Sequence, residues 1–126
     1  DEFVQSRHEI GKYYGNSLKL MPIILPWQAP EMYSSYHLYP IRICENKSDK
    51  KQRQVYDKLF ENGVAANLHY IPVHRQPFYE TKGFKAGDFK EAERFHREAI
   101  SIPIYPGLLQ EQQESVVQIL ENIFAS

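Results

Sequence analysis

Apolar positions along this chain recur with helical and strand periods, and the alternation between the two predicts its elements. Phe3, Ile10, Tyr13, Tyr14 and Leu18, with Arg7 among them, recur at helical spacing from the first residue onward. Residues 20–33 carry Pro22, Pro26 and Pro30. Proline fixes φ and donates no hydrogen bond, so this stretch is extended or turn chain, with Ile23, Ile24, Leu25 and Trp27 covering a hydrophobic edge. Residues 36–44 read as a strand. His37, Tyr39, Ile41 and Ile43 share one face, and Tyr36, Leu38, Arg42 and Cys44 the other. Pro40 has to sit where its nitrogen faces away from a neighbouring strand.

Ser48 then caps a predicted helix over 49–62. Val55, Tyr56, Leu59 and Phe60 form its buried stripe, and Asn62-Gly63 stops it. Residues 64–70 form the second strand, with Val64, Ala66, Leu68 and Tyr70 on an apolar face and Ala65, Asn67 and His69 on a decorated one. Residues 71–87, with Pro72, Pro77, Gly83 and Gly87, read as a long loop of the kind that is usually functional or mobile. Asp88 caps a helix over 88–98 whose Ala92, Phe95 and Ala99 face inward. Residues 100–104 are the third strand, and a last helix over 110–124 presents Val116, Val117, Leu120, Ile123 and Phe124. The order predicts an α+β fold, a small three- to four-stranded sheet with helices mainly on one face.

Composition narrows the function classes. At 126 residues the chain is one domain by size, or a piece of a larger protein, and long enough to bury about two-thirds of its unfolded surface. Hydrophobic content of 42% and charged content of 25% are those of a soluble globular chain. The net charge is −1, with no long run of like charge, which points away from nucleic acid and anionic membrane as partners. Lys47, Lys50, Lys51 and Arg53 are diluted by Glu45 and Asp49 and read as a solvated helix start. Cys44 is the single cysteine, so no intrachain disulfide forms, which fits a reducing compartment. No apolar run approaches the ~20 residues of a membrane span and no signal peptide opens the chain, so a cytoplasmic protein is expected. The first helix starts without a cap or a methionine, so a longer parent polypeptide is expected, with this helix as an inter-domain connector. Apolar surface is then expected to be exposed around Phe3, Ile10, Trp27 and the aromatic loop.

Residues 63–79, GVAANLHYIPVHRQPFY, concentrate the candidate chemistry. A strand end delivers His69 and Tyr70, and a proline-broken segment follows with His74, Arg75, Phe78 and Tyr79. The stretch reads as a ligand-lining loop. His69 fits a satisfied structural histidine and a pocket side chain equally. His74 follows Pro72 in a loop, where burial is not expected, and reads as functional. Zinc is not expected: His37 and His96 lie elsewhere, Cys44 sits alone on a strand, and no carboxylate stands beside the histidines. Arg42 is read as an edge-strand arginine paired with Glu or Asp in preference to an anion ligand. Ser34, Ser35 and Ser101 sit in no nucleophile motif, and the six glycines form no phosphate loop. No complete catalytic set is present.

Three segments, SSYHLYPIR at 34–42, GVAANLHYIPVHRQPFY at 63–79 and AERFHREAISIPIYP at 92–106, together resemble the C-terminal small domain of the DegT/DnrJ/EryC/StrS sugar aminotransferases. These enzymes use pyridoxal phosphate (PLP) and have the aspartate-aminotransferase type of fold. HYIPVHRQPFY followed by GF is especially similar to the branch that aminates UDP-linked 4-keto-6-deoxy amino sugars for surface or spore coat polysaccharide. The resemblance implies that residues 1–19 are the helix leaving a large domain and 20–126 the small domain. It implies His69, Tyr70, His74 and Tyr79 as substrate-side residues. In the family the Schiff-base lysine and the other PLP-holding residues lie in the large domain, so the resemblance implies no catalytic or cofactor-binding residue here, no PLP on this chain by itself, and no turnover by it. The whole enzyme is expected to be a homodimer that takes an amino group, usually from glutamate. A stand-alone binding module without catalysis, and a domain of a PLP-dependent sugar dehydratase, are the other readings open at this point.

Overall fold

The computed structural model describes residues 1–125. Helix α1 spans Glu2–Ser17, strand β1 Tyr39–Arg42 and helix α2 Gln52–Glu61. Strand β2 is only Asn67–Leu68. A 3₁₀ turn at Val73–Arg75 and the short helix α3, Pro77–Glu80, follow. Helix α4, Lys90–Glu98, runs directly into strand β3, Ala99–Ile102, and helix α5, Gln110–Ala125, closes the fold.

The sheet is antiparallel, in the order β1-β3-β2. Ile24 adds a fragment of a fourth strand by exchanging two 2.9 Å backbone hydrogen bonds with Arg42. β1 lies on the edge of the three strands, where Pro40 is tolerated. Register places Tyr39 opposite Ile102 and Ile41 opposite Ile100. These side chains share one face, and α1, α2 and α5 pack on it through Ile10, Tyr14, Val55, Leu59, Val117 and Leu120. The opposite face carries Arg42, Ser101 and Asn67.

The first helix is built into this core. Ile10 and Tyr14, one turn apart, are buried, as is Leu18 just past the last turn. The Tyr14 hydroxyl donates to the Pro103 carbonyl at 3.0 Å, tying α1 to the chain leaving β3. Ile10 is thus not part of an exposed apolar surface, whereas Phe3 and Trp27 are exposed.

Local hydrogen bonds move several element ends away from their sequence-based positions. The hydroxyl of Ser48 accepts from the Lys50 amide and makes a turn, and α2 begins only after Lys51, whose amide is held by the Gln54 side chain. Asp88 accepts from the Lys85 amide, closing a turn instead of capping α4. The second strand stops at Leu68 because the His69 carbonyl accepts from His96 Nδ1 at 3.0 Å instead of pairing in the sheet. Tyr70 therefore projects 89% exposed and does not share the buried face of Val64 and Ala66. Phe60 is also exposed, one position round α2 from buried Leu59. In α4, Ala92 and Phe95 do not enter the core; the helix buries no residue and turns this side toward a surface cleft.

Candidate functional site

The end of β2, the 3₁₀ turn, α3 and the exposed side of α4 enclose a cleft of about 640 Å³. His69, Tyr70, His74 and Tyr79 all lie on it. Phe84, Phe89, Phe95 and His96 complete its walls; sequence reasoning did not assign them to the site. The available signal was the spacing of Phe89, Ala92 and His96, with Phe95 beside them, in a segment whose other positions are charged. Rings are in mutual contact along this wall: His74 and Phe89 centroids are 4.9 Å apart, Phe84 and Phe89 6.0 Å.

Each histidine is held differently. His69 Nε2 hydrogen-bonds the Ser101 hydroxyl, and burial lowers its pKa, so the ring is neutral near pH 7. Ser101 is buried in the sheet, so this Ser–His contact fixes the ring and presents no accessible nucleophile. His96 donates Nδ1–H to the His69 carbonyl, locking α4 against the end of β2. His74 is buried to 6% exposure, contrary to the expectation for a loop residue, because Glu93 from α4 pairs with its Nε2 at 2.8 Å. The same carboxylate oxygen accepts the Gly87 amide at 2.7 Å. The His74 bond, then the Gly87 amide, hold the Glu93 carboxyl below the usual carboxylate range.

A second, polar cleft of about 650 Å³ lies on the other side of His96, lined by Arg42, Cys44, Arg94 and Arg97 among others. Arg42 donates from Nε to Glu98 at 2.9 Å, the acidic partner its edge position led us to expect. Cys44 also donates to Glu98, at 3.3 Å; burial and then this carboxylate raise its pKa, so the thiol stays protonated. Arg53 and Arg94 are paired as well, with Asp57 and Glu91. Among the described residues no group of His, Cys, Asp and Glu side chains can hold a metal ion, and no helix is long and apolar enough to cross a membrane.

Solved aminotransferases share this fold. DesV from S. venezuelae superimposes on 97% of this chain and 32% of its own, with a TM-score of 0.87 and 27% identity. Among curated relatives, the spore coat polysaccharide biosynthesis protein SpsC of Bacillus subtilis is 26% identical over 98% of this chain and 32% of its own length. The UDP-4-amino-4,6-dideoxy-N-acetyl-beta-L-altrosamine transaminase of Helicobacter pylori is 27% identical over 98% and 32%. The chain belongs to the DegT/DnrJ/EryC1/StrS aminotransferase family, whose pattern matches residues 1–121. It spans about a third of the length of the curated relatives it matches.

The family implies PLP. That cofactor needs a lysine to condense with its aldehyde and a carboxylate beside its ring nitrogen. Among the described residues neither type lines the aromatic cleft, which therefore does not fit the cofactor itself.

Proposed function

We propose that this chain is the C-terminal small domain of a PLP-dependent nucleotide-sugar aminotransferase and forms the substrate side of its active site. Residues 1–19 join it to a large domain that carries the PLP lysine, and residues 20–126 form the small domain. The whole enzyme is a cytoplasmic homodimer. It moves an amino group from glutamate to a UDP-linked 4-keto-6-deoxy sugar destined for surface or spore coat polysaccharide. The family match over residues 1–121 carries this reading. The names of the relatives SpsC and the H. pylori transaminase support the sugar class.

The cleft suits such a substrate. Its aromatic walls offer apolar faces to a base or a sugar ring, and its imidazoles and the Tyr70 and Tyr79 hydroxyls offer a few directed hydrogen bonds. His69, Tyr70, His74 and Tyr79 are assigned to substrate binding, with no catalytic residue on this chain. The chain by itself binds no PLP and does not turn over.

The test compares the 126-residue chain with the longest polypeptide encoded by its gene, each supplied with PLP, glutamate and a UDP-linked 4-keto-6-deoxy sugar. Amination by the long form only is expected. Amination by the chain alone, or a natural product of about 15 kDa with no large domain, would overturn the proposal.

A further inference from the structure

We propose that Glu93 is a positioning residue for the sugar step, holding the Nε2–H of His74 and so the ring's orientation at the cleft wall while clamping the turn that carries Phe84 and Phe89. The inference rests on the substrate-side assignment above and adds a residue to it.

Two hydrogen bonds converge on one oxygen. Glu93 Oε1 lies 2.8 Å from His74 Nε2 and 2.7 Å from the Gly87 amide nitrogen. An ionised carboxylate only accepts, so Nε2 carries the proton. In the neutral form of the ring the lone pair is then on Nδ1. A neutral histidine without this partner exchanges between tautomers, and half of its chemistry is wrong for any one ligand. Glu93 removes that ambiguity. In the neutral ring Nδ1 is left to accept from a hydroxyl or amide donor, and sugar nucleotides have several of both.

The Gly87 contact gives the clamp its second arm. Gly87 adopts φ +90°, a conformation that L side chains rarely hold, and this aims its amide at Glu93. The Lys85 amide bonds Asp88 within the same turn. One carboxylate thus joins α4, the 3₁₀ turn holding His74, and the turn between Phe84 and Phe89. The Phe89 ring rests on His74, so a shift of either arm moves both walls. Glu93 also sits in the first turn of α4, where the helix dipole favours its negative charge.

The test uses the whole enzyme and measures the two half-reactions separately by single turnover, with His74→Ala, Glu93→Ala, Glu93→Gln and the His74→Ala/Glu93→Ala double variant. Glu93→Ala is expected to slow the sugar half-reaction about 10-fold through misplacement of His74, leaving the glutamate half-reaction unchanged. Glu93→Gln keeps an accepting oxygen and should recover most of the rate. The double variant should be no slower than His74→Ala, because both remove one unit. A wild-type sugar step in Glu93→Ala, or losses that multiply in the double variant, would overturn the inference while leaving the substrate-side assignment standing. An unimpaired sugar step in His74→Ala would overturn that assignment instead.

A readout free of activity accompanies it. In ¹⁵N-histidine spectra recorded at a pH high enough that the ring is neutral, His74 should show a protonated Nε2 and a bare Nδ1, and Glu93→Ala should collapse this to a tautomer mixture. A protonated Nδ1 with a bare Nε2 in the unmodified protein would overturn the inference. Melting curves of each variant separate loss of positioning from loss of fold.

Discussion

Truncating Tyr14 tests whether the first helix belongs to the core. The ring is fully buried, packs 5.3 Å from Tyr39, and its hydroxyl donates to the Pro103 carbonyl at 3.0 Å. Burial, reinforced by neighbouring tyrosines, pushes its pKa well above the usual tyrosine value, so the hydroxyl donates throughout the working pH range. Tyr14→Phe removes only that hydrogen bond and should cost about 1 kcal/mol. Tyr14→Ala also removes the ring and opens a cavity beneath α1, for about 3–5 kcal/mol in all. Domains of this size are stable by roughly 5–15 kcal/mol, so the alanine variant loses about a fifth of the total or more. Thermal melts followed by circular dichroism should show a fall of roughly 4 °C per kcal/mol, with the alanine variant far below the phenylalanine one. Equal melting of the alanine and phenylalanine variants would show that α1 is a loosely attached connector and refute the packing argument.

Glu98→Ala leaves the Arg42 guanidinium and the Cys44 thiol without their shared acceptor and should cost about 1–3 kcal/mol in urea melts; an unchanged midpoint would count against a structural role for the pair. Cys44 should react with a thiol reagent at pH 8 only as fast as the fold opens, and labelling at the rate of a free thiol would contradict its raised pKa. Acid should destabilise the chain in two steps. His69 has a lowered pKa, so its contribution is complete above the ordinary value of about 6.5 and is lost as pH falls below it. Glu93, also lowered, contributes above about 4.3 and loses that contribution as pH falls further. Melting midpoints against pH should show both, and a Glu93→Gln curve that still has the lower step would contradict its assignment. Exposed Phe3, Trp27, Tyr70 and Phe78 should make the chain self-associate, so a clean monomer at high concentration on size exclusion would argue against a covered surface.

The parts legible in the sequence were those set by local periodicity. Helices α1 and α5 announce themselves through Ile10–Tyr14 and Val116–Leu120 spacing, and the faces of β1 follow from alternation of Tyr39 and Ile41 with Arg42. What distant side chains decide was not legible. The end of β2 depends on His96, 27 residues away, and the burial of His74 on Glu93, 19 residues away. Arg42 was expected to find an acid, but only folding shows that the acid is Glu98, 56 residues on. His69, Tyr70, His74 and Tyr79 reach one cleft because they share one short stretch of chain. Phe84 and Phe89 escaped notice because the turn before a mostly charged helix looks like plain surface, and Phe95 was expected in the core, whereas it faces the cleft.

The most direct measurement concerns His74 in the whole enzyme: single-turnover rates of the glutamate and sugar half-reactions in His74→Ala against the unmodified protein. If this domain lines the sugar side, the sugar half-reaction slows and the glutamate half-reaction does not. Equal losses in both would mean that His74 only supports the fold, and the domain would lose its place as a substrate wall.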